Sequence, residues 1–287
     1  MNCVCCDSIK LSPLFIEADE YYFCNNCGLI CLKNCEKKEN FDLIRKHYQK
    51  NDPHEEVSNS KKSFYNFVLD YLSSFRRTSG KKILDIGCGY GYFLDMAAKM
   101  GWEPTGIEVV HDAVKISQKK IGYNKIFQNE LKEACLFENS FDVITLWDVI
   151  AIVDNPYDEL KECYRLLKKH GIIGIRTRNV LFQMVLYRFF GLIKKMTLRF
   201  GLKEPYVFNK YCFSSNSLYV LLSRLGFINI KMNNSPLTTG DPYNHMPYHY
   251  PVKLAKTCVN IFSKSLFWIT RGRCLVGPSL LIWAEKA

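Results

Sequence analysis

Between Lys81 and Gly91 the chain reads KKILDIGCGYG, an apolar run that passes directly into three glycines at alternate positions. Ile83, Leu84 and Ile86 have the continuous apolar character of a parallel strand buried on both faces, which predicts a sheet covered by helices. Gly87, Gly89 and Gly91 supply backbone without Cβ atoms, where a ligand can approach closely. The next segment, Tyr92 to Met100, combines helix formers with apolar spacing, so its N-terminus is aimed at whatever lies over the glycines.

Two ligand classes compete for such a turn. A dinucleotide-binding fold requires GxGxxG, in which the third glycine or an alanine lets the helix pack against the strand. Tyr92 occupies that position and fits it badly. Asp85, two places before the first glycine, is also foreign to that fingerprint. The pattern DxGxGxG at a strand end instead resembles motif I of the class I methyltransferases that use S-adenosylmethionine (SAM). The order of the next elements extends the resemblance over about a hundred residues. Thr105 to Ile107 predicts a second strand ending at Glu108, seventeen residues after Gly91. Phe141 to Leu146 predicts a third, Tyr157 to Lys169 a helix, and residues 170 to 179 another strand.

With 287 residues, 48% of them hydrophobic, the chain has length for one doubly wound α/β domain plus a small module. The apolar segments around 180–193 and 258–269 are interrupted by Gln183, Arg188, Asn260 and Lys264 and fall short of membrane-spanning length. No secretory signal pattern opens the sequence, and thirteen cysteines in that setting predict reduced thiols and metal binding in a cytoplasmic protein. Charge is divided unevenly. Residues 1–160 carry a net charge of −5 and residues 161–287 a net charge of +16. A field of that sign favours an anionic acceptor or surface, although solubilising surface has the same composition.

Cys3 and Cys6, followed by Cys24 and Cys27, form two CxxC knuckles separated by seventeen residues, the spacing of a four-thiolate zinc site. Gly28, directly after the fourth cysteine, suits a turn with positive φ. Cys5, Cys31 and Cys35 are surplus, and Cys5 is placed to replace a neighbour. A closed thiolate site stabilises a fold and does no chemistry. CxxC, a tyrosine-containing strand and CxxCGL ahead of such a domain is similar to the front end of a bacterial methyltransferase subgroup. The YQKNDP segment, residues 48 to 53, is part of that likeness.

The resemblance implies a site. Gly87, Gly89 and Gly91 would line the methionine part of SAM, with Asp85 orienting the loop. Glu108 would accept the ribose hydroxyls, and Val109, Glu130 and Leu131 would contact the adenine. Trp147 and Asp148 would border the methionine end and the acceptor cavity, where an indole also attracts a sulfonium. For Trp147, core packing is an equal alternative. The subgroup's Glu-His pair is replaced here by Ala151-Ile152, so the resemblance carries over no base. The usual glycine pair before the next strand is reduced to Gly171, preceded by His170. Residues 154–157, DNPY, read as a helix cap followed by proline rather than an NPPY motif. His245 and His249, in a tyrosine-rich loop at 240–251, are the weak candidates for a base; Pro242 and Pro247 argue against a helical metal pair.

The expected architecture is a zinc ribbon at 1–37, a helical connection at 38–79 and a Rossmann-like seven-stranded class I methyltransferase domain at 80–287. An antiparallel strand near Ser279 to Ala284 closes its sheet, and an apolar, basic insert spans 180–204 as lid, surface helix or core. The expected cofactors are SAM and structural Zn²⁺. The expected acceptor is a small or lipid-linked, anionic biosynthetic intermediate such as a sugar or glycan precursor, with peripheral contact at the inner membrane face. RNA methylation and a non-catalytic interaction role are the competing functions.

Overall fold

The computed structural model describes residues 2–33, 54–74, 81–192, 206–236, 238 and 250–287, with side chains described outside 54–60 and 250–256. The YQKNDP segment, Cys35, His245 and His249, and residues 193–204 of the insert lie outside them.

Strands β4 (Lys82–Ile86), β5 (Glu103–Ile107), β6 (Ile126–Phe127), β7 (Phe141–Trp147), β8 (Leu167–Arg178), β10 (Phe227–Asn234) and β11 (Ser279–Lys286) form one sheet. Their order is β10-β11-β8-β7-β4-β5-β6. The five from β8 to β6 run parallel, and β11 runs antiparallel to both neighbours, closing the sheet as expected. Every residue of β7 is buried, consistent with layers on both faces. The chain reverses direction across β4, with β5 on one side and β7 on the other, so the crevice at its carboxyl end is a topological switch point.

The described α-helices are α1 (His54–Ser74), α2 (Tyr92–Lys99), α3 (His111–Ile121), α4 (Pro156–Leu166), α5 (Val180–Leu192), α6 (Ser215–Arg224) and α7 (Tyr250–Ile269). Asn155 caps α4, its Oδ1 accepting from the amides of Tyr157 at 2.9 Å and Asp158 at 3.4 Å, with Pro156 at the helix start. Ser214 caps α6 through a reciprocal box with Ser217.

The helix expected to reach Lys169 ends at Leu166 instead, and the strand begins at Leu167. Leu166 and Leu167 are both fully buried, and the backbone turns extended between them, Leu167 taking φ −66° and ψ 140°. Lys168 Nζ meets the Asp142 carboxylate at 2.9 Å and draws the chain alongside β7. The register shifts between Phe141↔Leu167 and Val143↔Ile172, with His170 at φ 64° within the irregularity. His170 thus takes the left-handed backbone usually given to glycine, and its Nδ1 lies 2.8 Å from Glu285 Oε1.

The cysteine knuckles sit on a second sheet of β1 (Leu11–Ile16), β2 (Asp19–Cys24), β3 (Ile30–Leu32) and β9 (Tyr211–Cys212). Ile30 pairs with Cys212 and Cys31 with Tyr211, so the fourth strand comes from far along the chain. Asn216 Nδ2 donates to the Cys27 carbonyl at 3.1 Å and Ser214 Oγ does so at 3.3 Å, which ties the second knuckle to the start of α6.

Candidate active site and metal centre

The glycine turn is held by its neighbour strand. The amides of Gly87 and Cys88 both donate to the Ile107 carbonyl, at 2.8 and 3.0 Å. Gly87, Gly89 and Gly91 have φ of 67°, 54° and 74°, a region that disfavours side chains. A Cβ on Gly87 would lie 2.4 Å from Val149 Cγ2, and one on Gly91 would lie 2.9 Å from Ser117 Cβ. The turn is therefore a cradle that only glycine can form.

Asp85 and Glu108 stand beside it. Asp85 is 2% exposed, and its Oδ1 accepts a 2.6 Å hydrogen bond from Thr145 Oγ1 of the adjacent strand. Burial pushes its carboxyl up to about 7, partly offset by the Thr145 bond and the Lys61 charge. Glu108 Oε2 accepts from Gly89 N at 2.9 Å; Oε1 accepts from Val109 N at 2.8 Å and Val110 N at 2.9 Å. Burial raises this carboxyl and the three amides oppose the rise. A carboxylate offers about four acceptor positions, so one on Oε2 remains after these three. Val109 is half-buried against Tyr90 and Ala113. Leu131 lies in the core cluster with Ile86 and Ile107, and Glu130, half-exposed, pairs with Lys132 at 2.7 Å.

Trp147 is 5% exposed and packed edge-on by Phe64 at 5.2 Å and Phe93 at 5.5 Å. The structure thus places this indole in the aromatic core beneath α1, and its Nε1 has no hydrogen-bond partner among the described residues. Asp148 turns off the end of β7 at φ 67°. Its carboxylate pairs with Arg176 and, at 3.2 Å, with Lys61. Burial alone would raise its pKa, but the charges of Arg176, Lys61 and Arg178 outweigh that and hold it low. Arg176 also donates to Ser235 Oγ at 3.0 Å and lies 4.9 Å from the Phe64 ring centroid.

Sequence reasoning missed Lys61, Thr145 and Arg176. The charge of Arg176 inside the apolar run GIIGIRTRN was a readable signal; Lys61, in a lysine-serine stretch, gave none.

The Sγ atoms of Cys3, Cys6, Cys24 and Cys27 all lie within 4.8 Å of one another, with Cys3–Cys27 and Cys6–Cys24 at 3.5 Å. Thiolates about 2.3 Å from a tetrahedral Zn²⁺ stand about 3.8 Å apart, so this donor set fits the ion. Asp7 at φ 59° and Gly28 at φ 76° come directly after the second cysteine of each knuckle, giving the two turns the same left-handed exit. Cys5 is fully buried beside the cluster; its thiol is pushed up by the Cys27 and Cys3 sulfurs and by burial.

The fold and this site define a class. A SAM-dependent methyltransferase from Archaeoglobus fulgidus superposes with a TM-score of 0.52 at 20% identity, over 86% of this chain and 99% of that one. A magnesium protoporphyrin IX methyltransferase from Synechocystis PCC 6803, solved with bound S-adenosylhomocysteine, superposes at 0.51 with 14% identity over 88% and 96%. At such identities the likeness establishes the fold. A methyltransferase-domain family model matches residues 48–231, and the chain belongs to that family. Among curated proteins it is similar to the ubiquinone biosynthesis O-methyltransferases of Glaesserella parasuis and Dechloromonas aromatica. The identities are 36% over 109 residues and 29% over 118, covering 35% and 39% of this chain. The chain spans about half the length of these relatives, 46% and 50%.

Proposed function

We propose that this chain transfers a methyl group from SAM to an oxygen of a small or lipid-linked biosynthetic acceptor, a sugar or glycan precursor among the classes that fit. The observation that carries the reading is the pair of buried acids, Asp85 and Glu108, set around three left-handed glycines at the carboxyl ends of parallel strands. Similarity to ubiquinone biosynthesis O-methyltransferases supports an oxygen acceptor made in a biosynthetic pathway. The proposed site places Gly87, Gly89 and Gly91 against the methionine part of SAM. Glu108 takes a ribose hydroxyl, and Val109, Glu130 and Leu131 stand at the adenine.

When bound, SAM supplies an electrophilic methyl on a sulfonium. The chain's own task is to hold the acceptor oxygen in line with it and to exclude water. Asp148 is held as an anion by two cations, which makes it a poor proton acceptor and a good anchor for α1 over the turn. His245 and His249 remain the candidates for the base. The four-thiolate cluster holds Zn²⁺ as a structural ion. The proposed location is cytoplasmic, at the inner membrane face.

Labelled methyl from SAM, added with the purified protein to an extract of its own cells, tests the reading. Label in the lipid or small-molecule pool supports it. The basic half also suits RNA, so label that disappears on nuclease treatment, with affinity falling steeply with salt, would replace it.

A further inference from the structure

Helix α7 packs Phe267 against the core yet also presents large apolar side chains to solvent. The side toward β10 carries Ser263, 1% exposed, whose carbonyl accepts from Asn234 Nδ2 at 3.2 Å. The side toward solvent carries Ile261, Phe262, Trp268 and Ile269, exposed by 59, 64, 83 and 70%. Positions 261 and 268, and likewise 262 and 269, are seven apart, so the four fall on one stripe two turns long. Lys264, Arg271 and Arg273 are exposed around it, and no acidic residue occurs between Tyr250 and Pro278.

Helix α5 packs Val180, Met184 and Tyr187 inward and likewise shows apolar residues to solvent. Leu181, Val185, Phe189 and Leu192 are 51, 65, 55 and 86% exposed along one face, while Gln183 is buried. The two helices leave the same end of the sheet. β8 runs into α5 through Asn179, whose Nδ2 donates to the carbonyls of Leu275 at 2.9 Å and Gly277 at 3.1 Å, on the segment joining α7 to β11. That end is also where the glycine turn lies.

We propose that the Ile261–Phe262–Trp268–Ile269 face of α7, rimmed by Lys264, Arg271 and Arg273, docks on an anionic bilayer surface. A second copy of the chain would bring like charge against like charge. Nucleic acid would satisfy the cations and leave the indole and aliphatic side chains in water. A bilayer with acidic headgroups meets both requirements: the apolar stripe enters the acyl boundary while the cations stay at the phosphates. No helix among the described residues is long and apolar enough to cross a membrane, so this contact lies along the surface. The inference deepens the functional reading and rests on it, since α7 leaves the end of the sheet that carries the glycine turn and a lipid contact there brings lipid-linked acceptors to that end.

Trp268 is its own reporter, because Trp102, Trp147 and Trp283 are 7, 5 and 3% exposed and already shielded from water. The intact protein is mixed with vesicles of equal parts phosphatidylglycerol and phosphatidylcholine, and with vesicles of phosphatidylcholine alone. Tryptophan emission, co-sedimentation and SAM affinity are measured in parallel. The expected result is a blue shift and sedimentation with the anionic vesicles, at least about tenfold weaker on phosphatidylcholine. The double substitution Phe262→Asp and Ile269→Asp should weaken partitioning by at least about tenfold while SAM affinity stays unchanged. Emission unmoved by anionic vesicles overturns the proposal. So does a blue shift that tracks protein concentration without lipid, which marks self-association, or one produced by RNA alone. Loss of SAM binding in the unmodified protein would instead sink the methyltransferase reading, whatever the vesicles show.

Discussion

At the scale of single residues, the site depends on groups held in unfavourable states by their surroundings. Asp85 keeps its proton to about pH 7, whereas an ordinary aspartate loses it near 3.8. Between those values the folded chain binds more protons than the unfolded one, so this residue's contribution to stability falls as pH rises. Across the whole window the loss amounts to about 4 kcal/mol at most. Asp85→Asn should therefore flatten the pH dependence of unfolding between pH 4 and 7, as read from denaturant midpoints. A slope identical to the unmodified protein would contradict a buried carboxylic acid at this position. Gly87 was legible in the sequence because a glycine's conformational role is local. The Lys61–Asp148–Arg176 network was not: it joins α1, the end of β7 and the carboxyl end of β8, and only the fold brings their charges together. Lys61→Met should leave Asp148 with Arg176 as its remaining ion-pair partner, raise its pKa and loosen α1, seen as a lower melting temperature and faster amide exchange in that helix.

At the scale of elements, α1 is fastened by its aromatic residues more than by its charges. Phe64 is fully buried, edge-on to Trp147 and tilted against Tyr65, and Tyr71 stacks on Trp283 at 4.7 Å. Phe64→Ala should cost about 3–5 kcal/mol in chemical denaturation, the range for emptying a packed aromatic site. A cost below about 1 kcal/mol would mean that α1 is not part of the folded core. The four-stranded sheet that carries the cysteine knuckles is a second case. Its knuckles were readable from cysteine spacing, but its fourth strand was not, since two residues at Tyr211–Cys212 give no periodicity to read. The α4 pattern reads on to Lys169 because Leu160, Cys163 and Leu167 keep helical spacing, and no local residue marks the extended turn at Leu167. Because β3 pairs with β9 and Cys27 accepts from Asn216, a zinc ion at the knuckles, one per chain, should stabilise both segments. Chelation, or Cys24→Ser, should lower the melting temperature and expose the β3–β9 amides to exchange. Full stability after removal of bound zinc would refute a structural ion there.

At the scale of the whole molecule, charge and function are divided along the chain. The first half, net −5, supplies the proposed cofactor cradle, and the second half, net +16, supplies the helices with apolar solvent faces. The central claim is that SAM lies over the glycine turn between Asp85 and Glu108. Calorimetric titration of SAM into the intact protein and into Gly87→Ala tests it most directly, because a Cβ there meets Val149 at 2.4 Å while the strand beneath stays in place. The predicted result is measurable binding to the unmodified chain and a loss of at least about tenfold in the variant, with unchanged zinc content and secondary structure. Equal affinity in the two proteins, or no affinity in either, would contradict it.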